Sequence, residues 1–226
     1  MRSVVLLSGG LDSTVALTAA RAEGEVRLAL TFDYGQQAAK REIAASRAMC
    51  QRLGVPHEAV SLPWLAKITQ TALVNDSVAV PTLTPEELEA AELDAAAHWA
   101  AAVWVPNRNG VFVNVAAAYA ESLCCDAIVC GFNREEAATF PDNSAEYVDA
   151  TNGALRFSTR RSVRIVAPTQ DMSKCEIVRW GRQIGAPLDL VWSCYGDGPE
   201  QCGQCESCRR LQRALQQAEA PASEAS

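Results

Sequence analysis

The chain has 226 residues, 49% of them hydrophobic, and a formal net charge of −7. That length suits one well-cored domain with at most a small appendage, and no apolar run approaches the ~18 uncharged residues of a membrane span. The acidity and the dispersed basic residues disfavour a surface for nucleic-acid backbone, so the expected partners are small molecules, with no direct nucleic acid and no membrane.

The opening "MRSVVLLSGG" carries too short an apolar run for an export signal and ends in a glycine turn, so it reads as a first strand, Ser3–Leu7, of a cytoplasmic protein. Further strand-length apolar runs follow at Val26–Phe32, His57–Leu62, Ala127–Phe132 and Val163–Pro168, with helix-like stretches such as Gln36–Leu53 between them. Continuous apolar strands alternating with amphipathic helices predict an α/β fold, a doubly wound parallel sheet covered on both faces. Ligands of such sheets bind at the carboxyl ends of the strands.

At the end of the first strand, "SGGLDST" combines a glycine turn with a helix beginning near Asp12. Backbone N–H groups and the positive helix end suit a phosphate there, Gly9 and Gly10 permit close approach, and Ser8, Ser13 and Thr14 add hydroxyls. Asp12 reads as a helix cap or as a ligand to the Mg²⁺ that accompanies a nucleotide. The pattern is neither the dinucleotide G-x-G-x-x-G nor the lysine-bearing phosphate loop.

Between Pro81 and Asn109 the chain becomes alanine-rich after a Thr-Pro-Glu-Glu helix start, an excursion or lid near the active face. "VPNRN" then precedes a helix near Gly110, so Asn107, Arg108 and Asn109 are either turn and cap residues or ligand contacts. Asn133, Glu136 and Asp142 follow the fourth strand's carboxyl end, where they can meet a ligand by hydrogen bonding. Lys174, one of three lysines, opens a helix-like run after the last strand and is placed for a cation near phosphates.

Nine cysteines without an export signal imply a reducing compartment, and four crowd into "SCYGDGPEQCGQCESC". Cys194, Cys202, Cys205 and Cys208 suit one closed structural zinc site, with an iron–sulfur cluster as the rival. Cys50, Cys124, Cys125, Cys130 and Cys175 read as small packing residues, and His57 and His98 as surface or packing residues. The division expected is an α/β domain over residues 1–191, a zinc-binding segment with its helix over 192–216, and a disordered tail over 217–226.

The S-G-G-x-D-S loop resembles that of the N-type ATP pyrophosphatases, which cleave ATP between the α- and β-phosphates. Taken together, "SGGLDS", "FDYGQ", "VPNRN", "GFN", "FPD", the K-x-E-I at Lys174–Ile177 and "WSCYG…CGQCESC" resemble the 7-cyano-7-deazaguanine synthases along nearly the whole chain. The resemblance implies an adenine nucleotide alpha hydrolase-like fold and conversion of 7-carboxy-7-deazaguanine and ammonium to the nitrile preQ0 with ATP. It also implies ATP binding by Ser8, Gly9, Gly10, Leu11, Asp12, Ser13 and Asp33, catalytic roles for Asp12 and Lys174, and a homodimer. Substrate contacts fall to Asn107, Arg108, Asn133, Glu136 and Asp142. Many relatives read "DYSGYPDCR" where this chain has "EEAATFPDNS" over Glu135–Ser144, so substrate identity is the inference this departure weakens. The rival function is a related adenylating ligase acting on another carboxylate, including one on a protein.

Overall fold

The computed structural model describes residues 1–82 and 100–219. In chain order these form β1 (Arg2–Leu6), α1 (Leu11–Glu23), β2 (Glu25–Asp33), α2 (Ala39–Leu53), β3 (His57–Ser61), α3 (Trp64–Lys67), α4 (Arg108–Ser122), β4 (Ala127–Val129), α5 (Arg134–Ala137), α6 (Ala145–Ser158), β5 (Arg164–Val166), α7 (Lys174–Gln183) and α8 (Glu206–Glu219). The five strands pair in parallel in the order β3-β2-β1-β4-β5. The chain builds outward from β1 to β3, then returns to the other side of β1 for β4 and β5. The reversal leaves a crevice between β1 and β4, where an open parallel sheet binds its ligands.

Each central strand is apolar on both faces because each face is covered. Val4, Leu30, Ile128 and Ile165 pack under Val113, Ala116 and Ala120 of α4 and Leu155 of α6. Their neighbours Val5, Ala29 and Val129 point the other way, into a second core with Val15 of α1, Met49 of α2, Ile177 of α7 and Ala214 of α8. The period of two along each strand thus feeds two cores, which is the doubly wound arrangement predicted from the apolar runs.

Three expectations shift. The fourth and fifth strands shrink to three residues each, and Cys130–Phe132 leave the sheet. The reason is at Gly131, where a Cβ would lie 2.5 Å from the Ser13 nitrogen, so the chain turns to lie flat on the start of α1. The second helix starts at Ala39, since Gln36 is engaged in the turn before it: its amide donates to the Phe32 carbonyl and accepts from the Tyr34 N–H. Finally, α8 runs through Glu219, so residues 217–219 are helical and anchored, with the Gln217 carbonyl taking a bond from Arg179 and Glu219 paired with Arg182. The lid segment's residues 83–99, including His98, and tail residues 220–226 lie outside the described residues.

Cys50, Cys125 and Cys130 are buried in the two cores, and burial pushes the Cys50 thiol up to about 12. His57 is also a packing residue. Thr31 donates to the Leu7 carbonyl, so the His57 Nε2–H donates to the Thr31 hydroxyl at 2.8 Å. Among the described residues, no helix is long and apolar enough to cross a membrane.

Candidate active site

A cavity of about 290 Å³ opens at the β1/β4 crevice, with the Ser8–Ser13 turn as its floor. The turn is held by its own hydrogen bonds. Ser13 Oγ accepts from the Ser8 N–H and lies 3.1 Å from Ser8 Oγ, while Thr14 donates to the Gly10 carbonyl at 2.7 Å. Gly9 has φ +80°, the left-handed region that disfavours side chains, and a Cβ there would meet the Glu42 carbonyl oxygen at 3.0 Å. The N-cap of α1 is Gly10 with no side-chain cap bond, so Asp12 is not a cap, and its carboxylate is left for other work.

That carboxylate meets the lysine. Ser173 and Glu176 close a reciprocal capping box at the start of α7, which fixes Lys174 as the first helical residue. Lys174 Nζ then lies 2.8 Å from Asp12 Oδ2 and 2.7 Å from Glu136 Oε1, all three side chains largely buried. Burial raises the Asp12 pKa more than the ammonium lowers it. For Glu136 burial acts upward as the largest single influence, but Lys174, Arg210 and the Asn133 bond together outweigh it and the carboxyl ends below its ordinary value. Burial alone would lower Lys174; its two carboxylates instead hold it strongly protonated. Asp12 Oδ1 is buried and has no hydrogen-bond partner, an oxygen aimed at something else.

The opposite wall is aromatic and basic. Phe32 stacks on Phe112 with ring centroids 4.2 Å apart, Arg108 lies over the Tyr34 ring, and the Arg108 Nη1 donates to the Tyr34 hydroxyl at 3.3 Å. The C-terminal segment closes a third side. The Trp192 N–H donates to the Gly9 carbonyl at 2.9 Å, and the Tyr195 hydroxyl donates to Glu206, which is itself ion-paired with Arg210.

Ser8, Gly10, Leu11, Asp12, Ser13, Arg108, Glu136 and Lys174 come together on one cavity, although the elements bearing them are far apart in the chain. Gly9, Asp33, Asn107, Asn133 and Asp142 are not among the residues that line it. Asp33 accepts from the Gly35 N–H, Asn107 occupies the left-handed N-cap position of α4, and Asn133 caps α5 by accepting from the Glu136 N–H. Asp142 accepts from the Asn143 side chain, and Asn143, not Asp142, reaches the lining. Ser144, in the segment where the sequence departs from many relatives, caps α6 by accepting from the Tyr147 N–H. The sequence reading missed Glu42, Glu206 and Arg210, all on the lining. The available signal was a charged residue inside a Cys-x-x-Cys, at Glu206.

Beside this wall the four thiols of Cys194, Cys202, Cys205 and Cys208 lie within 4.8 Å of one another and can hold a metal ion. Backbone N–H groups of Gly196 and Cys202 point at Cys194 Sγ, and those of Gln204 and Cys205 at Cys202 Sγ, an arrangement that favours thiolates. A hydrogen bond from Cys208 lowers the Cys205 thiol to about 5.

The family model for the queuosine biosynthesis protein QueC matches residues 2–219. A 7-cyano-7-deazaguanine synthase of Pelotomaculum thermopropionicum is 53% identical over 96% of this chain and 98% of its own length. The namesake of Desulforamulus reducens is 51% identical over 95% and 93%, and that of the archaeon Methanosarcina barkeri 48% identical over 96% and 95%. With the family model and the curated relatives both matching almost end to end, this chain belongs to the family of the queuosine biosynthesis protein QueC.

Proposed function

We propose that the protein converts 7-carboxy-7-deazaguanine and ammonium to 7-cyano-7-deazaguanine, driven by cleavage of ATP to AMP and pyrophosphate. The observation that carries this reading is the pairing of the hydrogen-bonded phosphate turn with the Asp12–Lys174–Glu136 cluster, in a chain about half identical to synthases of that name. A carboxylate resists attack because of its charge and resonance, so its oxygen must be made a leaving group. Transfer of AMP does this, and ammonia then gives the amide. Loss of the amide oxygen, activated the same way, gives the nitrile.

The chain's own groups have positioning and charge to supply. The Ser8–Ser13 turn offers backbone N–H groups and hydroxyls to the phosphates at the positive end of α1. Lys174 neutralises charge at that end, held in place by Asp12 and Glu136. Phe32, Tyr34 and Phe112 give flat apolar surface for a planar ring, and Arg108, half-buried on the lining, gives a cation for an anionic or carbonyl oxygen. Mg²⁺ fits the unpartnered Asp12 Oδ1, where it would neutralise developing phosphate charge.

Zinc fits the cysteine cluster. Cys202 and Cys208 Sγ are 3.9 Å apart, close to the ~3.8 Å edge of a tetrahedron with ~2.3 Å zinc–sulfur bonds. Four protein ligands close the coordination shell, so the role is structural, one ion per chain. We place the boundary of the α/β body near residue 191, with the cysteine segment and α8 as its appendage. The test is direct: incubated with ATP, Mg²⁺, ammonium and the acid, the protein yields the nitrile by mass spectrometry. Turnover of another carboxylate but not this one points instead to the related ligase.

A further inference from the structure

If the reaction uses ammonium, as the function proposed above requires, something must deprotonate it. Ammonium has no lone pair, and at neutral pH little of it is ammonia. A positioned base contributes about 10²–10⁴-fold to such a step. Among the described residues the cavity lining carries four carboxylates: Asp12, Glu42, Glu136 and Glu206. Asp12 and Glu136 share the Lys174 ammonium, and Glu206 is bound by Arg210 and the Tyr195 hydroxyl. Glu42, in the first turn of α2, makes no ion pair with any described residue. Its Oε2 accepts one bond, 2.7 Å, from the neutral amide of Gln36.

Gln36 is fixed in turn. Its amide also donates to the Phe32 carbonyl at 2.9 Å and its oxygen accepts from the Tyr34 N–H at 2.9 Å. The Glu42 backbone packs against Gly9 of the phosphate turn. The carboxylate is thus held beside the turn that would bind the nucleotide, on the same cavity as Lys174.

We infer that Glu42 binds ammonium in this cavity and removes its proton for attack on the activated acid. The Glu42 carboxylate takes one proton and ammonia is left. The nitrogen lone pair forms the C–N bond to the acyl carbon, the bond from that carbon to the AMP oxygen breaks, and AMP leaves with its electron pair. The nitrogen's surplus proton passes to solvent. Burial pushes the Glu42 carboxyl up to about 7, against the Gln36 hydrogen bond and then the pull of Arg108 from α4, and with a push from Asp33 at the end of β2, which suits a base that works near neutrality.

The test compares nucleophiles. Hydroxylamine is largely unprotonated at neutral pH and needs no base to attack, giving the hydroxamate. Glu42→Gln keeps an oxygen for Gln36 but cannot take the proton. The expected result is a fall of about 10²-fold or more in amide formation from ammonium, with hydroxamate formation and acid-dependent ATP–pyrophosphate exchange within about threefold of wild type. Recovery of the ammonium rate as pH rises and free ammonia accumulates is expected as well. Amide formation from ammonium at the wild-type rate overturns the proposal, as does an equal loss with both nucleophiles, which marks a structural role. Should Glu42→Gln not fold, Glu42→Asp is read by the same ratio. The wild-type protein run alongside separates the two readings, since its turnover upholds the function whatever the variants do.

Discussion

At the scale of single residues, the cavity divides into groups that announce themselves in the sequence and groups that do not. Asp12 and Lys174 were legible because each belongs to a short pattern with a mechanism, and they meet at 2.8 Å. Asp12→Ala is expected to abolish nearly all AMP formation in a single-turnover assay; because it also removes one of two carboxylates from the largely buried Lys174, denaturant unfolding run alongside is expected to show a loss below the ~3–5 kcal/mol of an unpaired buried charge, since Glu136 still holds the ammonium. Glu42 was not legible. An acid in the first turn of an amphipathic helix reads as a solvated face, and only the fold turns it inward. Its titration gives a second check. The folded-state pKa is raised from the ordinary 4.5 to about 7, so the folded state binds the proton more tightly than the unfolded chain does. Stability from this group is greatest below 4.5 and declines as pH rises to about 7. The melting temperature of Glu42→Gln, measured against wild type across that window, is expected to gain on wild type as pH increases.

At the scale of elements, strand and helix positions followed from apolar runs, but element ends were decided by contacts the runs do not encode. The Ala127–Phe132 run is uniformly apolar, yet its last three residues leave β4 because Gly131 lies against the backbone of Asp12 and Ser13. Helix α6 was not foreseen: its pattern is weak, and the Ser144 cap that starts it was read only as a departure from relatives. Asn133, read from the sequence as a ligand contact, also serves as a helix cap: its Oδ1 accepts from the Glu136 N–H, while its buried Nδ2 has no partner. Gly131→Ala puts a methyl group 2.5 Å from the Ser13 nitrogen, and the contacted atoms are backbone that cannot swing aside. The variant is expected to lose about 1–3 kcal/mol in denaturant unfolding, the usual range for overpacking. ATP affinity should fall with it, because the displaced strand end supports the phosphate turn.

At the scale of the whole molecule, the cysteine segment was legible from spacing, whereas its closeness to the cavity was not. Trp192 bonds to the phosphate turn, Tyr195 and Glu206 line the cavity, and α8 packs beside α7, which carries Lys174. Metal loss is therefore expected to loosen one wall of the site as well as the segment itself. Elemental analysis should find about one zinc per chain, and Cys205→Ser should lower the melting temperature and weaken nucleotide binding together. Iron with labile sulfide would contradict the zinc assignment. The central claim, that one cavity activates both an acid and its amide by adenylation, is tested most directly by counting products. The account predicts two AMP and two pyrophosphate per nitrile from the acid, one for each oxygen discarded, and half that with no need for ammonium when the amide is supplied. ADP and phosphate as products, or an amide that does not react, would contradict it.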